Sequence, residues 1–211
     1  MGHTTILKCD KTNPDIRCIE RGVEVIKKGG VIAYPTDTVY GLGGHPFLDS
    51  VRKKIYQIKN RPLNKPLPLI IGHRKMLKKL CSDISNLAGR LMDIFWPGAL
   101  TIIIPDGKGN NIGVRWPNNT VAEKLSLMSD LPLLATSANI SGNSSTTDPA
   151  RVMKELEGKF DLFLDAGILP PNPGSTVIDV TKDRIEIIRE GAISAEILRS
   201  KNFRVHIDRK Q

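Results

Sequence analysis

At 211 residues the chain is long enough for one large domain or two small ones, with a core that needs no disulfide or metal staple to fold. A composition of 40% hydrophobic and 25% charged residues excludes collagen-like, wholly disordered and coiled-coil classes, and 5% aromatic residues argues against a surface built on base stacking. Lysine and arginine number 31 against 22 acidic residues, a formal charge of +9 that favours polyanions or phosphorylated ligands as partners. In chain order, the opening MGHTTILKCDKTNPD has no apolar stretch of the length a secretory leader needs, and no segment approaches the roughly 20 apolar residues of a membrane span. Cys9, Cys18 and Cys81 are odd in number and lack metal-ligand spacing, so a reducing compartment and a cytoplasmic, membrane-free protein are expected.

Ile16, Ile19, Val23 and Ile26 form one apolar stripe at helical spacing, stopped by Gly29-Gly30, and VIAY (31–34) follows as a buried strand. PTDTVYGLGGHP reads as a loop. Leu48, Val51, Ile55 and Ile58 predict a second helix, which Pro62 forbids from continuing. A short apolar run (66–72), two amphipathic stretches within 74–95 and the strand LTIII (100–104) come next. IGVRW (112–116) reads as a strand, NTVAEKLSLMS as a helix, and LPLLATSA (131–138) as a strand leaving the core. The polar loop TSANISGNSSTTDP ends at Asp148-Pro149, whose capping and first-turn chemistry opens a helix at 150–157. LFLDAG is a strand, and residues 176–190 predict a hairpin, followed by a short helix. Alternating helices and strands with one antiparallel hairpin imply an open, mixed α/β sheet. One domain is expected over 1–211, its motif-bearing core at about 16–200 and a basic C-terminal tail at 201–211.

No phosphate loop of the G-x-x-x-x-G-K-[ST] or G-x-G-x-x-G type occurs, and the four histidines form no metal-binding pair. Polar residues at strand and helix ends remain: Thr36, Asp37 and Thr38, Ser137 and Asn139, Ser175 and Thr176. Lys59, Arg61 and Lys65 either compensate a helix dipole or, stiffened by Pro62 and Pro66, present cations to phosphate. Arg115, inside an apolar strand, faces water or pairs with an acid in a cleft, and burial statistics favour water. Ser137 and Asn139 suit a turn, and Arg189 suits a solvent-facing cross-strand pair.

Read together and in order, PTDTVYGLG, KNRPLNKPL, FWPGALT, GVRWP, TSANISG and STVID closely resemble the YrdC family of threonylcarbamoyl-AMP synthases, over about Val31 to Arg189. The resemblance implies an open, twisted mixed α/β sheet with flanking helices around a basic cavity. It also implies synthesis of threonylcarbamoyl-adenylate from ATP, L-threonine and bicarbonate, with pyrophosphate released. Another enzyme, a tRNA threonylcarbamoyl transferase, then uses the product, and magnesium arrives with ATP. Carried over by motif, Lys59, Arg61, Ser137 and Asn139 form a polar tetrad for nucleotide and substrate. Thr38, Arg115 and Ser175 match threonine contacts, while Arg61, Lys65, Asn111, Ser137, Asn139, Thr147 and Arg189 match ATP contacts. Lys59 and Arg61 are expected to stabilise phosphate charge. Ile70 stands where some members place a histidine, Gly174 where an acidic residue is common, and the chain matches the short, single-domain form. Two other readings compete. One is an RNA-binding or ribosome-assembly module using the basic C-terminus (Arg199, Lys201, Arg204, Arg209, Lys210); weak tRNA binding is also expected of the synthase itself. The other is a carbamoyl-transfer domain using carbamoyl phosphate, like that of hydrogenase-maturation proteins.

Overall fold

Residues 3–182 and 184–206 are described in a computed structural model. Eleven strands are found among them: β1 (Thr5–Lys8), β2 (Val31–Tyr34), β3 (Gly41–Gly44), β4 (Leu69–Ile70), β5 (Leu100–Pro105), β6 (Asn111–Arg115), β7 (Leu133–Ser137), β8 (Leu162–Asp165), β9 (Thr176–Asp179), β10 (Ile185–Arg189) and β11 (Val205–His206). They form one sheet in the order β1-β8-β2-β3-β7-β4-β6-β5-β9-β10-β11, open because its two ends do not meet. Parallel and antiparallel pairings are mixed, as the alternation of elements predicts. The helices are α1 (Ile16–Lys27), α2 (Asp49–Lys59), α3 (Asn86–Phe95), α4 (Thr120–Ser129), α5 (Pro149–Leu156) and α6 (Ala195–Ser200), with a 3-10 segment at Arg74–Lys79.

The four residues of β2 are all buried because helices cover both faces of the sheet, which explains why the strand reads as a continuous apolar run rather than an alternating one. Val31 and Ala33 join the core under α2 and α5, with Val51, Ile55, Val152 and Leu156. Ile32 and Tyr34 point the other way, to Ile19, Val23 and Ile26 of α1 and Val121 and Leu125 of α4. A third cluster, under α3 and α6, packs Leu91, Met92 and Leu198 on Leu100, Ile102 and Ile178. Local signals agree with this packing. Asp148 accepts a hydrogen bond from the Ala150 amide (2.8 Å) with Pro149 in the first turn of α5, and Asp15 accepts one from the Arg17 amide (2.9 Å) at α1.

The segment read as one loop, PTDTVYGLGGHP, contains a strand. Glycine is poor strand material, but β3 needs it here. A Cβ on Gly43 would lie 1.8 Å from the Leu134 carbonyl oxygen, and one on Gly41 would lie 3.1 Å from the Tyr34 ring. Gly43→Ala is therefore expected to force β3 away from β7, at the upper end of the about 1–3 kcal/mol that overpacking costs. Thermal unfolding should show a fall in Tm of roughly 6–12 °C for a domain of this size, and an unchanged Tm would refute the close approach. β1 and β11 were also not expected. Val205–His206 of the predicted basic tail pairs with Ile185–Glu186, while Arg209 and Lys210 lie outside the described residues.

Candidate functional site

The predicted residues lie at loops and strand ends of the sheet. The β2–β3 connection is a tight turn in which Thr36 Oγ1 donates to the Val39 carbonyl (2.6 Å) and accepts from the Thr38 amide (3.1 Å). That turn presents Thr38, 1% exposed, with its Oγ1 accepting from Arg115 Nη1 at 3.0 Å. Arg115 itself ends β6 and is 7% exposed, so the solvated-edge reading is overturned. Its Nε donates to the Gly98 carbonyl (2.8 Å) and its Nη2 to Asp37 Oδ1 (2.5 Å). The acid that a buried arginine requires is thus Asp37, singled out above only as part of a strand-end cluster. A guanidinium carries five N–H donors. Three are used, leaving one on each terminal nitrogen, the number that a carboxylate accepts side by side. Ile70, the register partner of Arg115, is packed in the core.

Ser175 and Arg189 approach from the far half of the sheet. Arg189 Nη2 donates to the Ser175 carbonyl (2.7 Å) and hydroxyl (3.1 Å), and that hydroxyl also contacts Thr101 Oγ1 (3.0 Å). Arg189 is exposed, as its strand position predicts, but its register partner is Val177, and it has no acidic cross-strand partner among the described residues. The register of β10 against β9 shifts between Ile187 and Arg189, so one extra residue, Ile188, bulges, and Arg189, exposed as a residue, lays its guanidinium on Ser175. The Arg189 pKa is lowered first by desolvation of its head group, then by the charges of Arg115 and Arg61. Of these three arginines only Arg115 has a carboxylate partner among the described residues.

The tetrad divides into two roles. Lys59, at the end of α2, is 2% exposed. Its Nζ donates to the carbonyls of Ser137 (2.5 Å) and Asn139 (2.7 Å) and lies 3.5 Å from Asn139 Oδ1. Its own carbonyl accepts from the Ser141 amide (2.8 Å). Asn139, 4% exposed, donates through Nδ2 to the carbonyls of Ile140 (2.9 Å) and Asn143 (2.7 Å). Both side chains hold the 137–143 loop, Lys59 through the Ser137 and Asn139 carbonyls and Asn139 through those of Ile140 and Asn143. Burial, with help from Arg61, pushes the Lys59 pKa down to about 8. Glu155 of α5 holds the same loop from outside, accepting from the Ile140 amide (2.9 Å) and Asn143 Nδ2 (3.1 Å). Spacing gave no sign of Glu155 or Thr101.

Arg61 is fixed by Nε to the Lys65 carbonyl (3.0 Å) and Nη2 to the Pro66 carbonyl (3.0 Å), and Tyr56 supports that loop through its hydroxyl on Lys65 O (2.9 Å). The Lys65 side chain is exposed beside it. Thr147 is joined to the neighbouring 166–174 loop by its carbonyl, which accepts from the Leu169 amide (2.9 Å). Asn111 begins β6 on the same face as Arg115 but four residues earlier, about 13 Å away along the strand. Only an extended ligand would reach both.

A family model described as "Telomere recombination" (Sua5/YciO/YrdC) matches residues 24–191. A protein named threonylcarbamoyl-AMP synthase from Pyrococcus abyssi is 35% identical over 180 residues, covering 81% of this chain and 53% of that protein. One named putative threonylcarbamoyl-AMP synthase from Methanocaldococcus jannaschii is 33% identical over 204 residues, 92% of this chain and 96% of the relative. The crystal structure of P. abyssi Sua5 complexed with L-threonine superposes with a TM-score of 0.88 at 31% identity, covering 96% of this chain and 63% of that one. The chain thus spans little more than half the length of the Pyrococcus relative.

Proposed function

The chain belongs to the Sua5/YciO/YrdC family, and on that premise we propose that it is an L-threonylcarbamoyladenylate synthase acting in tRNA threonylcarbamoyladenosine modification. The observation that carries the reading is Arg115, anchored by Gly98, Thr38 and Asp37 yet keeping two donors, with Arg61, just beyond α2, and Arg189 of β10 adding positive charge. Such a group suits a small carboxylate held beside a polyanion.

In this reading the threonine carboxylate lies on the Arg115 fork, and Thr38 and Ser175 read its other polar groups. The amine condenses with bicarbonate, losing water, to an N-carboxylated threonine. Its new carboxylate attacks the α-phosphorus of ATP; an oxygen–phosphorus bond forms as the bond to the pyrophosphate oxygen breaks. No protein nucleophile is needed. The protein contributes orientation and positive charge aimed at developing anions. Arg61, Lys65 and Arg189 take the phosphate charge, Ser137 and Thr147 face the nucleotide, and Asn111 marks the far reach of the ATP site. Lys59 and Asn139 hold the loop that carries Ser137. Magnesium enters as part of the ATP substrate, the product passes to a tRNA threonylcarbamoyl transferase, and the setting is the cytoplasm. Among the described residues no helix is long and apolar enough to cross a membrane.

Purified protein given ATP, magnesium and bicarbonate is expected to release pyrophosphate and form threonylcarbamoyl-adenylate, detected by mass, only when L-threonine is present. Release that ignores threonine but responds to carbamoyl phosphate would favour carbamoyl transfer. Inert, folded protein that binds RNA in a salt-sensitive way would favour the RNA-binding reading.

A further inference from the structure

Resting on the threonine reading above, the geometry points to Asp37 as the carboxylate that receives the substrate's α-ammonium group, making the Asp37–Arg115 pair a clamp for an amino-acid zwitterion. A brace for a buried arginine would be best served by both carboxylate oxygens on the guanidinium fork. Asp37 uses one: Oδ1 accepts from Arg115 Nη2 at 2.5 Å, while Oδ2 accepts no hydrogen bond from the described residues. Arg115 does not depend on Asp37 for its place, since Gly98 O and Thr38 Oγ1 hold two other edges of the guanidinium. The pair is nearly closed off, with side-chain exposures of 9% for Arg115 and 16% for Asp37, and the more open member is the one with the unspent oxygen.

What is left over is two N–H donors and one carboxylate oxygen on adjacent residues of one ion pair. An α-amino acid presents the complement, a carboxylate with an ammonium on the neighbouring carbon. Arg61, Arg115 and Arg189 would attract any anion, so positive charge alone cannot distinguish an amino acid from a hydroxy acid. Asp37 supplies the missing negative group, and once the ammonium has passed a proton to that carboxylate or to solvent, the same contact holds the neutral amine for its attack on the bicarbonate carbon.

Isothermal titration with L-threonine and with (3R)-3-hydroxybutyrate, which keeps the carboxylate and hydroxyl but lacks the nitrogen, tests this. Wild-type protein is expected to bind threonine at least about tenfold tighter, the scale of one charge-assisted hydrogen bond. Asp37→Asn retains an oxygen for Arg115 and is expected to weaken threonine by about ten- to a hundredfold, leaving 3-hydroxybutyrate within about threefold, well under the effect of one such bond. Equal losses of both ligands would make Asp37 a mere brace and overturn the assignment. So would equal affinity of both ligands for the wild-type protein, a result that needs no variant to fold. If folded wild-type protein binds neither ligand, the threonine reading itself falls and takes this assignment with it.

Discussion

Arg115→Ala is expected to cut threonine-dependent pyrophosphate release at least a hundredfold, about 2.7 kcal/mol of lost transition-state stabilisation, and to destabilise the fold as well. Arg115 is 7% exposed, so its removal leaves Asp37 in a cleft without its counter-charge and Gly98 O without its donor. Breaking a buried pair from one side costs about 3–5 kcal/mol. Arg115→Lys separates the two effects. Its ammonium restores the charge but not the planar fork, so stability should recover in large part while the KM for threonine stays raised. Thermal unfolding alongside steady-state kinetics checks both, and near wild-type turnover in Arg115→Lys would show that the fork has no part in binding.

Lys59→Met is expected to reduce turnover tenfold or more, chiefly through a raised KM for ATP, because the 137–143 loop loses the donor shared by Ser137 O and Asn139 O. Threonine affinity should change little, since Arg115, Thr38 and Ser175 lie on other elements. The pH dependence has a definite sign. Burial lowers the Lys59 pKa from 10.5 to about 8. Between those values the unfolded chain holds more protons than the folded one, so this group's contribution to stability is smallest below pH 8 and rises toward 10.5. Function runs the other way: above about pH 8 the loop contacts lose their charge assistance. The wild-type dependence of ATP KM on pH should therefore break near 8, and Lys59→Met should lack that break. A break that persists in the variant would assign it to another group.

How far the sequence discloses this molecule depends on whether a residue's role is local. Apolar periodicity gives α1 and α2 nearly to the residue, and the Asp-Pro start of α5 is a matter of capping. β3 escapes because its glycines are required by Leu134 and Tyr34, neighbours from β7 and β2 that no local pattern reveals. β1 is four residues long, and half of its pattern faces water. In the site, Arg115 reads as solvated from composition because its acid lies 78 residues away. Arg189 misleads for a different reason: it stays exposed, but the bulge at Ile188 sets it opposite Val177, and its guanidinium bonds Ser175 rather than an acid. Motif resemblance names the residues without dividing them by what their side chains touch. Only the structure separates Lys59 and Asn139, turned into the loop, from Arg61 and Ser137 beside them.

The pairing of β1 with β8 also bears on how the chain reaches its native state. Lys8 is in register with Asp165 and joined to it by an ion pair across 157 residues of sequence. Nothing near β1 in the sequence offers it a partner. At about 5–20 residues per second of synthesis, β1 waits roughly 8–30 s after emerging before its partner has been made. Contacts of such separation close late and slow folding. Through that interval β1 is an unpaired edge with Ile6 exposed even in the finished fold, guarded by the charge of Lys8. Until Leu162–Asp165 are made, β1 has no partner to cover its edge, and the length of that interval is set by translation speed rather than by the stability of the completed sheet.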